Sequence, residues 1–521
     1  MPNGGGASYL KARGEAVVLA AFALWSLVPL AIVFLKRGKG SFNGSDGLQV
    51  ADHLQYLAWV RDAGENVLFS NRFDVASDPH LFLHPTYAIS GLAWALGASV
   101  QAANLIWKPV AVVIVFAGFA AYVRRMLEHD RLAMAGGLAL ALFFVSPAAP
   151  LLDWLGMGDE TLDFGNLLMA LEMFPAGYLW GGYAGSISVG LMPVFLLCFE
   201  ATLEPSRRRG GRSARFYSVS AGLAGLFASW LHPWQGITLL LIVGGLLLWE
   251  RLDRRTLLAS LLPVALTAAP VFYYFVLSHT DSSWALVSQP NDFPHFGWFL
   301  VLGLAPFALA LPGLRPPRED VGEKMLLLWV PAALVLYAGL GQSWFYHALI
   351  GLSLPFAIFA LRGARRLRVP SPAVAAVIAI LTIPGLVFVL QQFTEGLDDH
   401  FFRDGERQAL SYLDRAERPG PVLSRLEVGQ AVPGYTGRNT YVGHYTWTPD
   451  YVDKVERARA LFEGELSGEE ARRLVRESRA TFLLADCRSA AGLRASLGPS
   501  VASQRRFGCA TVYELREAPG G

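Results

Sequence analysis

Residues 49–63 read QVADHLQYLAWVRDA, and they set a carboxylate, an amide and two aromatic rings at helical spacing. At 100° per residue Asp52, Gln55, Tyr56 and Trp59 share one face, and Val50, Leu54 and Leu57 share the opposite one. A helix of this kind, lying along a membrane, buries the apolar face among lipid headgroups and turns the other toward a cavity. Arg61 falls on the apolar side, from which its long stem can snorkel to water. Asp52 then has two readings: a solvated loop carboxylate, or a general base with an aromatic floor beside it.

Further polar residues recur at intervals. Residues 153–172 carry Asp153, Asp159, Glu160, Asp163 and Glu172, followed by Tyr178-Leu179-Trp180-Gly181-Gly182-Tyr183. Rings beside carboxylates suit sugars, since rings stack on apolar sugar faces while acids bind hydroxyls. The adjacent Asp159 and Glu160 offer oxygen ligands to a divalent cation such as magnesium or manganese, although an ordinary acidic loop has the same composition. His232-Pro233-Trp234-Gln235 interrupts a long apolar stretch, and a proline turn needs neither the His nor the Gln. Lys108 lies inside an apolar run, where a charge is costly and marks function by default. A lipid phosphate is its natural partner, and snorkelling is the plainer alternative. His347 follows Gly341-Gln342-Ser343-Trp344, and the polar segment Gly437-Arg438-Asn439-Thr440-Tyr441-Val442-Gly443-His444 reads as a turn or as a lip over a site.

Composition says what must position these groups. Of 521 residues 53% are hydrophobic and 17% charged, and the mean hydropathy is +0.37. A soluble protein carries about 25% charged residues, so an ordinary soluble enzyme, a disordered chain and a fibrous one are all excluded. The charge is uneven: residues 393–521 hold 37 of the 86 Asp, Glu, Lys and Arg. The chain therefore divides into an apolar domain, 1–392, and a polar one, 393–521. The polar part mixes strand-like runs (481–485, 510–515) with a helical charged run (450–479), predicting a small α/β domain. The net charge of +2 and the scattered basic residues give no nucleic-acid footprint. Cys198, Cys487 and Cys509 match no metal spacing; Cys487 and Cys509 either pair, if their domain is extracytoplasmic, or remain buried thiols. No nucleophile elbow, phosphate-binding glycine loop, HExxH or paired CxxC is present.

Apolar runs at 16–35, 101–123, 132–152, 183–199, 216–231, 233–249, 256–278, 296–314, 325–340, 344–361 and 370–392 predict about eleven membrane spans. The first has basic flanks and no small-residue cleavage site, so it reads as a retained helix rather than a signal peptide. The connections alternate between two kinds. Basic ones carry Arg124, Arg125 and Arg131; Arg207, Arg208, Arg209, Arg212 and Arg215; Arg251, Arg254 and Arg255; Arg315, Arg318 and Lys324; and Arg362, Arg365, Arg366 and Arg368. Those between them have no Lys or Arg. Short basic loops stay in the cytoplasm, which places the N-terminus inside and the C-terminal domain outside. The weaker run 81–98 fits as an outer interfacial or re-entrant helix, or as half of an unresolved pair, within a first outer loop of 36–100. Nine of the ten histidines then lie at or beyond the outer face, with the unpaired acids and Trp154, Trp180, Trp234, Trp284 and Trp344. An interfacial belt accounts for the tryptophans; an outward-facing site accounts for the acids and histidines as well.

In this architecture the chain resembles the glycosyltransferase-C superfamily, in its uncharacterised bacterial branch. The resemblance is carried locally by Ala51-Asp52-His53-Leu54-Gln55-Tyr56-Leu57-Ala58-Trp59-Val60-Arg61, by Leu231-His232-Pro233-Trp234-Gln235-Gly236, by the segment ending at His347, and by Thr436-Gly437-Arg438 through His444. It implies a multi-pass plasma-membrane (inner-membrane) enzyme that moves a sugar from a polyprenyl-phosphate carrier, amid membrane lipids, to a glycan, lipid or protein acceptor. It maps the catalytic base onto Asp52, with Asp46 as second choice, and a metal site onto Asp159 and Glu160. The Asp-x-Asp pair that some members show in the first loop is absent. Gln55, Tyr56, Trp59, Lys108, His232, Trp234, Gln235, His347, Arg438 and His444 are the expected substrate-binding residues, with Lys108, Arg438 or a cation facing the leaving phosphate. The rivals are a transporter or flippase of lipid-linked saccharides and a non-catalytic envelope-assembly protein.

Overall fold

A computed structural model describes residues 4–36, 38, 40–76, 78–128, 131–156, 172, 174–289, 297–314, 320–339, 344–490 and 492–516. The chain is a helical multi-pass membrane protein with a small strand-bearing region near its C-terminus. Among the described residues, seven helices are long and apolar enough to cross a membrane: Arg13–Lys36, Val100–Met126, Tyr183–Leu203, Arg254–Thr280, Val321–Gly339, Phe345–Arg366 and Ser371–Glu395. The runs at 216–231 and 233–249 form the Ala214–Leu231 and Pro233–Trp249 helices, and 132–152 forms a 13-residue helix, Arg131–Phe143, followed by Ala148–Trp154. The run at 296–314 is broken into Gly297–Leu304 and shorter turns, because Pro306 and Pro312 withhold amide donors. Local chemistry marks several starts. Ser213 accepts from the amide of Phe216, and Pro233 opens its helix at the first turn.

By contact the chain divides into two compact units. The first comprises Met1–Val28, Trp107–His279 and Ser288–Gln392; the second comprises Pro29–Ile106, Thr280–Val287 and Phe393–Gly521. A break thus falls between 392 and 393, and most of the first loop groups with the C-terminal region.

In the first unit, helices Trp107–Met126, Tyr183–Leu203 and Ala214–Leu231 pack side by side. The crossing is close: a Cβ on Gly118 would stand 2.1 Å from the carbonyl oxygen of Gly190, so neither position admits a side chain. Outward sides present Leu261, Phe272 and Ile380, a surface that hydrocarbon covers without loss.

The second unit holds both sheets. β1 (Ser41–Phe42) pairs antiparallel with β2 (Phe401–Phe402). β3 (Val422–Ser424), β4 (Phe482–Ala485), β5 (Val501–Phe507) and β6 (Ala510–Leu515) form a sheet of order β3-β4-β6-β5, parallel only between β3 and β4. Helices Tyr451–Glu463 and Gly468–Glu477 cover it, with Leu461, Phe462 and Leu474 packed on Leu423, Leu483 and Tyr513. Gly464, at φ 78°, ends the first helix, and a Ser467–Glu470 capping box starts the second. Cys487 and Cys509 form a disulfide.

The run 81–98, read as a segment that does not cross, forms the 11-residue helix Pro85–Ala95, too short to span a bilayer. It packs on the helix Val50–Asn66, where Gly91 and Gly64 meet. That first-loop helix does not lay Leu54 and Leu57 among lipid headgroups. Both are buried in protein, at 1% and 0% exposure, with Gly434 against Leu57. The 3.6-residue pattern correctly marked a buried face but could not name the surface that buries it.

Candidate functional site

Polar side chains gather in each unit separately. In the second unit, Asp52 stands in the first turn of the Val50–Asn66 helix, where the helix dipole favours negative charge. Its Oδ1 accepts two hydrogen bonds, from His444 Nε2 at 3.1 Å and from the Tyr445 hydroxyl at 2.9 Å. The Asp52 side chain keeps 28% of its surface open, while that of His444 keeps 3%. Burial alone would raise the Asp52 carboxyl, but the hydrogen bond from His444, then that from Tyr445 and the nearby His53, hold it below the usual carboxylate value. The Tyr445 phenol is pushed well above its ordinary value by burial and by Asp52, so it remains a donor.

The rest of that helix face is a packed aromatic surface. Trp59 lies 5.2–5.4 Å from the rings of Phe69, Phe82, Tyr87 and Trp447. Tyr56 stacks on Tyr87 at 5.5 Å, and burial, then Asp52, drives its hydroxyl upward. Gln55 is 5% exposed. Asp46 is fully buried; its backbone N–H donates to His53 Nδ1 at 3.0 Å. The half-open carboxylate of this pair is therefore that of Asp52. Arg438 donates to the carbonyls of Leu413, Ala416, Arg418 and Gly420, which ties down a turn and engages most of its donors.

In the first unit, Glu172, Tyr178, His232, Trp234, Gln235 and His347 meet. Glu172 accepts from the Tyr178 hydroxyl at 2.7 Å and faces His347 Nδ1 at 3.2 Å. The His232 and His347 rings are 4.8 Å apart, edge to face, and Trp234 lies 6.4 Å from His347. His232 Nδ1 hydrogen-bonds Gln235 Oε1, and Gln235 Nε2 donates to the His347 carbonyl at 2.9 Å. Lys108 donates from Nζ to the carbonyls of Ser26 (2.5 Å) and Leu179 (2.8 Å), with the Tyr183 ring 5.4 Å away. It ties the first helix to the Gly177–Leu179 turn at 4% exposure.

Asp159 and Glu160 lie outside the described residues. Among the described residues, one group of three carboxylates is close enough to share an ion: Glu200, Glu204 and Asp320. Arg125 and Arg207 already neutralise them, with Arg125 reaching both Glu200 and Asp320, so the group is an ion-pair network. Tyr445, Glu172 and Tyr178 were not among the expected site residues. Tyr445 was foreshadowed only by its place directly after the polar segment ending at His444, and the other two by the acidic–aromatic stretch 153–183.

No family model matches the chain, and no curated protein does. Solved structures do. The oligosaccharyltransferase of Archaeoglobus fulgidus, tethered to an acceptor peptide, is 13% identical with a TM-score of 0.51, over 91% of this chain and 69% of that one. ArnT of Cupriavidus metallidurans in the apo state is 13% identical with a TM-score of 0.49, over 96% of this chain and 98% of that one. The first likeness, across nearly the whole chain, shows that this multi-pass membrane protein, with seven membrane-length apolar helices among its described residues, has the glycosyltransferase-C fold.

Proposed function

We propose that the protein is a membrane glycosyltransferase that moves a sugar from a polyprenyl-phosphate carrier to an acceptor, with Asp52 as its base. The observation that carries this reading is the Asp52 carboxylate, ionised by its surroundings yet 28% open on the first-loop helix. The fold supports it, as does the acceptor peptide tethered to the oligosaccharyltransferase that shares this fold.

In the proposed reaction the acceptor nucleophile attacks the anomeric carbon as the carbon–oxygen bond to the lipid phosphate breaks. The nucleophile's proton passes to Asp52, and polyprenyl phosphate leaves with the bonding electrons. Sugar and phosphate binding fall to the aromatic and imidazole groups: Tyr56 near Asp52, and His232, Trp234, Gln235 and His347 in their own cluster. Lys108 and Arg438 already serve main-chain carbonyls, which argues against either as the partner of the leaving phosphate. Asp159 and Glu160 are the proposed ligands if a divalent cation takes part. The Cys487–Cys509 disulfide supports placing the C-terminal region in an oxidising, extracytoplasmic compartment.

Purified protein incubated with radiolabelled polyprenyl-phosphate sugars and envelope acceptors tests the reading. Transfer by the wild type and a loss of at least about 100-fold in Asp52→Asn are expected. Undiminished turnover in that variant overturns the assignment of the base, and no transfer by the wild type favours a non-catalytic role for the protein.

A further inference from the structure

The two hydrogen bonds to Asp52 converge on one oxygen. Oδ1 takes both His444 Nε2 and the Tyr445 hydroxyl, and among the described residues nothing hydrogen-bonds Oδ2.

The tautomer of His444 follows from its other nitrogen. The backbone N–H of Thr446 points to Nδ1 at 3.2 Å, and the Thr446 hydroxyl lies 2.8 Å away. A backbone amide can only donate, so Nδ1 carries the lone pair and Nε2 carries the hydrogen. The donor therefore faces Asp52.

The ring has little freedom to turn. It is stacked 4.4 Å from Tyr445 and lies 5.7 Å from Phe73. The amides of Gly443 and His444 both donate to Thr448 Oγ1, and the Thr448 amide returns to the His444 carbonyl. Gly443 has no room for a side chain, since a Cβ there would stand 2.5 Å from the Phe73 ring. A tight turn thus aims one imidazole and one phenol at a single carboxylate oxygen.

We propose that His444 and Tyr445 are positioning residues for Asp52. They tether Oδ1, fix the plane of the carboxylate, and leave Oδ2 as the oxygen that meets the acceptor. His444 was expected to bind substrate; buried and committed on both nitrogens, it acts through Asp52 instead. This inference rests on Asp52 being the base. The titratable groups facing Asp52 are His444 and Tyr445 from this turn and His53 and Tyr56 from its own helix.

The test needs no knowledge of the sugar. Dicyclohexylcarbodiimide reacts with protonated carboxyl groups, so peptide mass spectrometry of labelled full-length protein across pH 3–8 gives the protonation midpoint of Asp52. Replacing His444 by Leu removes the stronger influence and should raise the midpoint. Tyr445→Phe, which loses one hydroxyl at constant volume, should raise it by less. His444→Gln places an amide N–H near the position of Nε2 and should return it toward the wild-type value. An unchanged midpoint in both His444→Leu and Tyr445→Phe overturns the proposal, even if Asp52→Asn has abolished transfer. Transfer that survives in Asp52→Asn sinks the base while leaving the labelling result intact, so the two failures are distinct. Should His444→Leu not fold, Tyr445→Phe and His444→Gln decide: no rise in the first, or a full rise in the second, is equally fatal.

Discussion

Each unit of this chain holds a carboxylate against an imidazole and a phenol, and the two are held differently. Asp52, in the second unit, receives His444 and Tyr445 on one oxygen and remains 28% open. Glu172, in the first unit, receives Tyr178 on Oε2, faces His347 with both oxygens, and is only 4% open. A tethered carboxylate with a free oxygen can take a proton from a substrate. An enclosed one, shut away from solvent, serves to orient the ring beside it. The same residue types therefore support two roles, and burial decides between them.

Substituting both carboxylates puts that contrast under the greatest strain. Asp52→Asn should cost about 10²–10⁴-fold in transfer. Glu172→Gln should cost only about tenfold, the worth of one hydrogen bond to a charged group, and the fall should appear mainly in donor affinity. Equal losses would erase the distinction.

Stability separates the units next. In the first, Arg125 bridges Glu200, which is 2% exposed, and Asp320. Arg125→Ala takes from buried Glu200 its hydrogen-bonded partner and leaves only Arg207, 3.5 Å away, and should cost about 3 kcal/mol, read as a lower unfolding midpoint in detergent. In the second, the Cys487–Cys509 disulfide closes a loop of 22 residues. The Cys487→Ser, Cys509→Ser double variant should cost about 3 kcal/mol, with the loss confined to the second unit by proteolysis.

The mildest effect is one of pH. His400 sits 1% exposed, with Nδ1 donating to the Ser45 carbonyl at 2.9 Å. Burial outweighs that bond and the nearby Asp399 and Asp46, and pushes the imidazole down to about 4. A folded value below the unfolded one of about 6.5 means that the unfolded chain binds the extra proton. Stability is therefore retained above about pH 6.5 and declines as the pH falls toward 4, by about 2 kcal/mol at pH 5. The decline should be shallower in His400→Gln, as measured by unfolding midpoints from pH 7 to 5.

Much of the architecture was legible in the residues. The apolar runs became helices, and the strand-like runs 481–485 and 510–515 became β4 and β6. Spans blurred where proline intervened, as at 296–314. The first-loop helix was recognised by its period, yet its apolar face meets protein rather than lipid, because periodicity records that a face is buried and not what buries it. Lys108 and Arg438 illustrate the same limit. Their charges stood out in the sequence, but their carbonyl partners are main-chain atoms that no composition reveals.

By itself, then, the sequence determined the membrane class, the helical course of the chain and the polar segments worth watching, since hydrophobic length and period are local properties. Only the tertiary structure decided which of those segments meet. Asp52 and His444 are 392 positions apart, and folding alone brings the imidazole to one carboxylate oxygen and leaves the other open. Contacts of that range depend on how whole elements pack, and no local pattern encodes them.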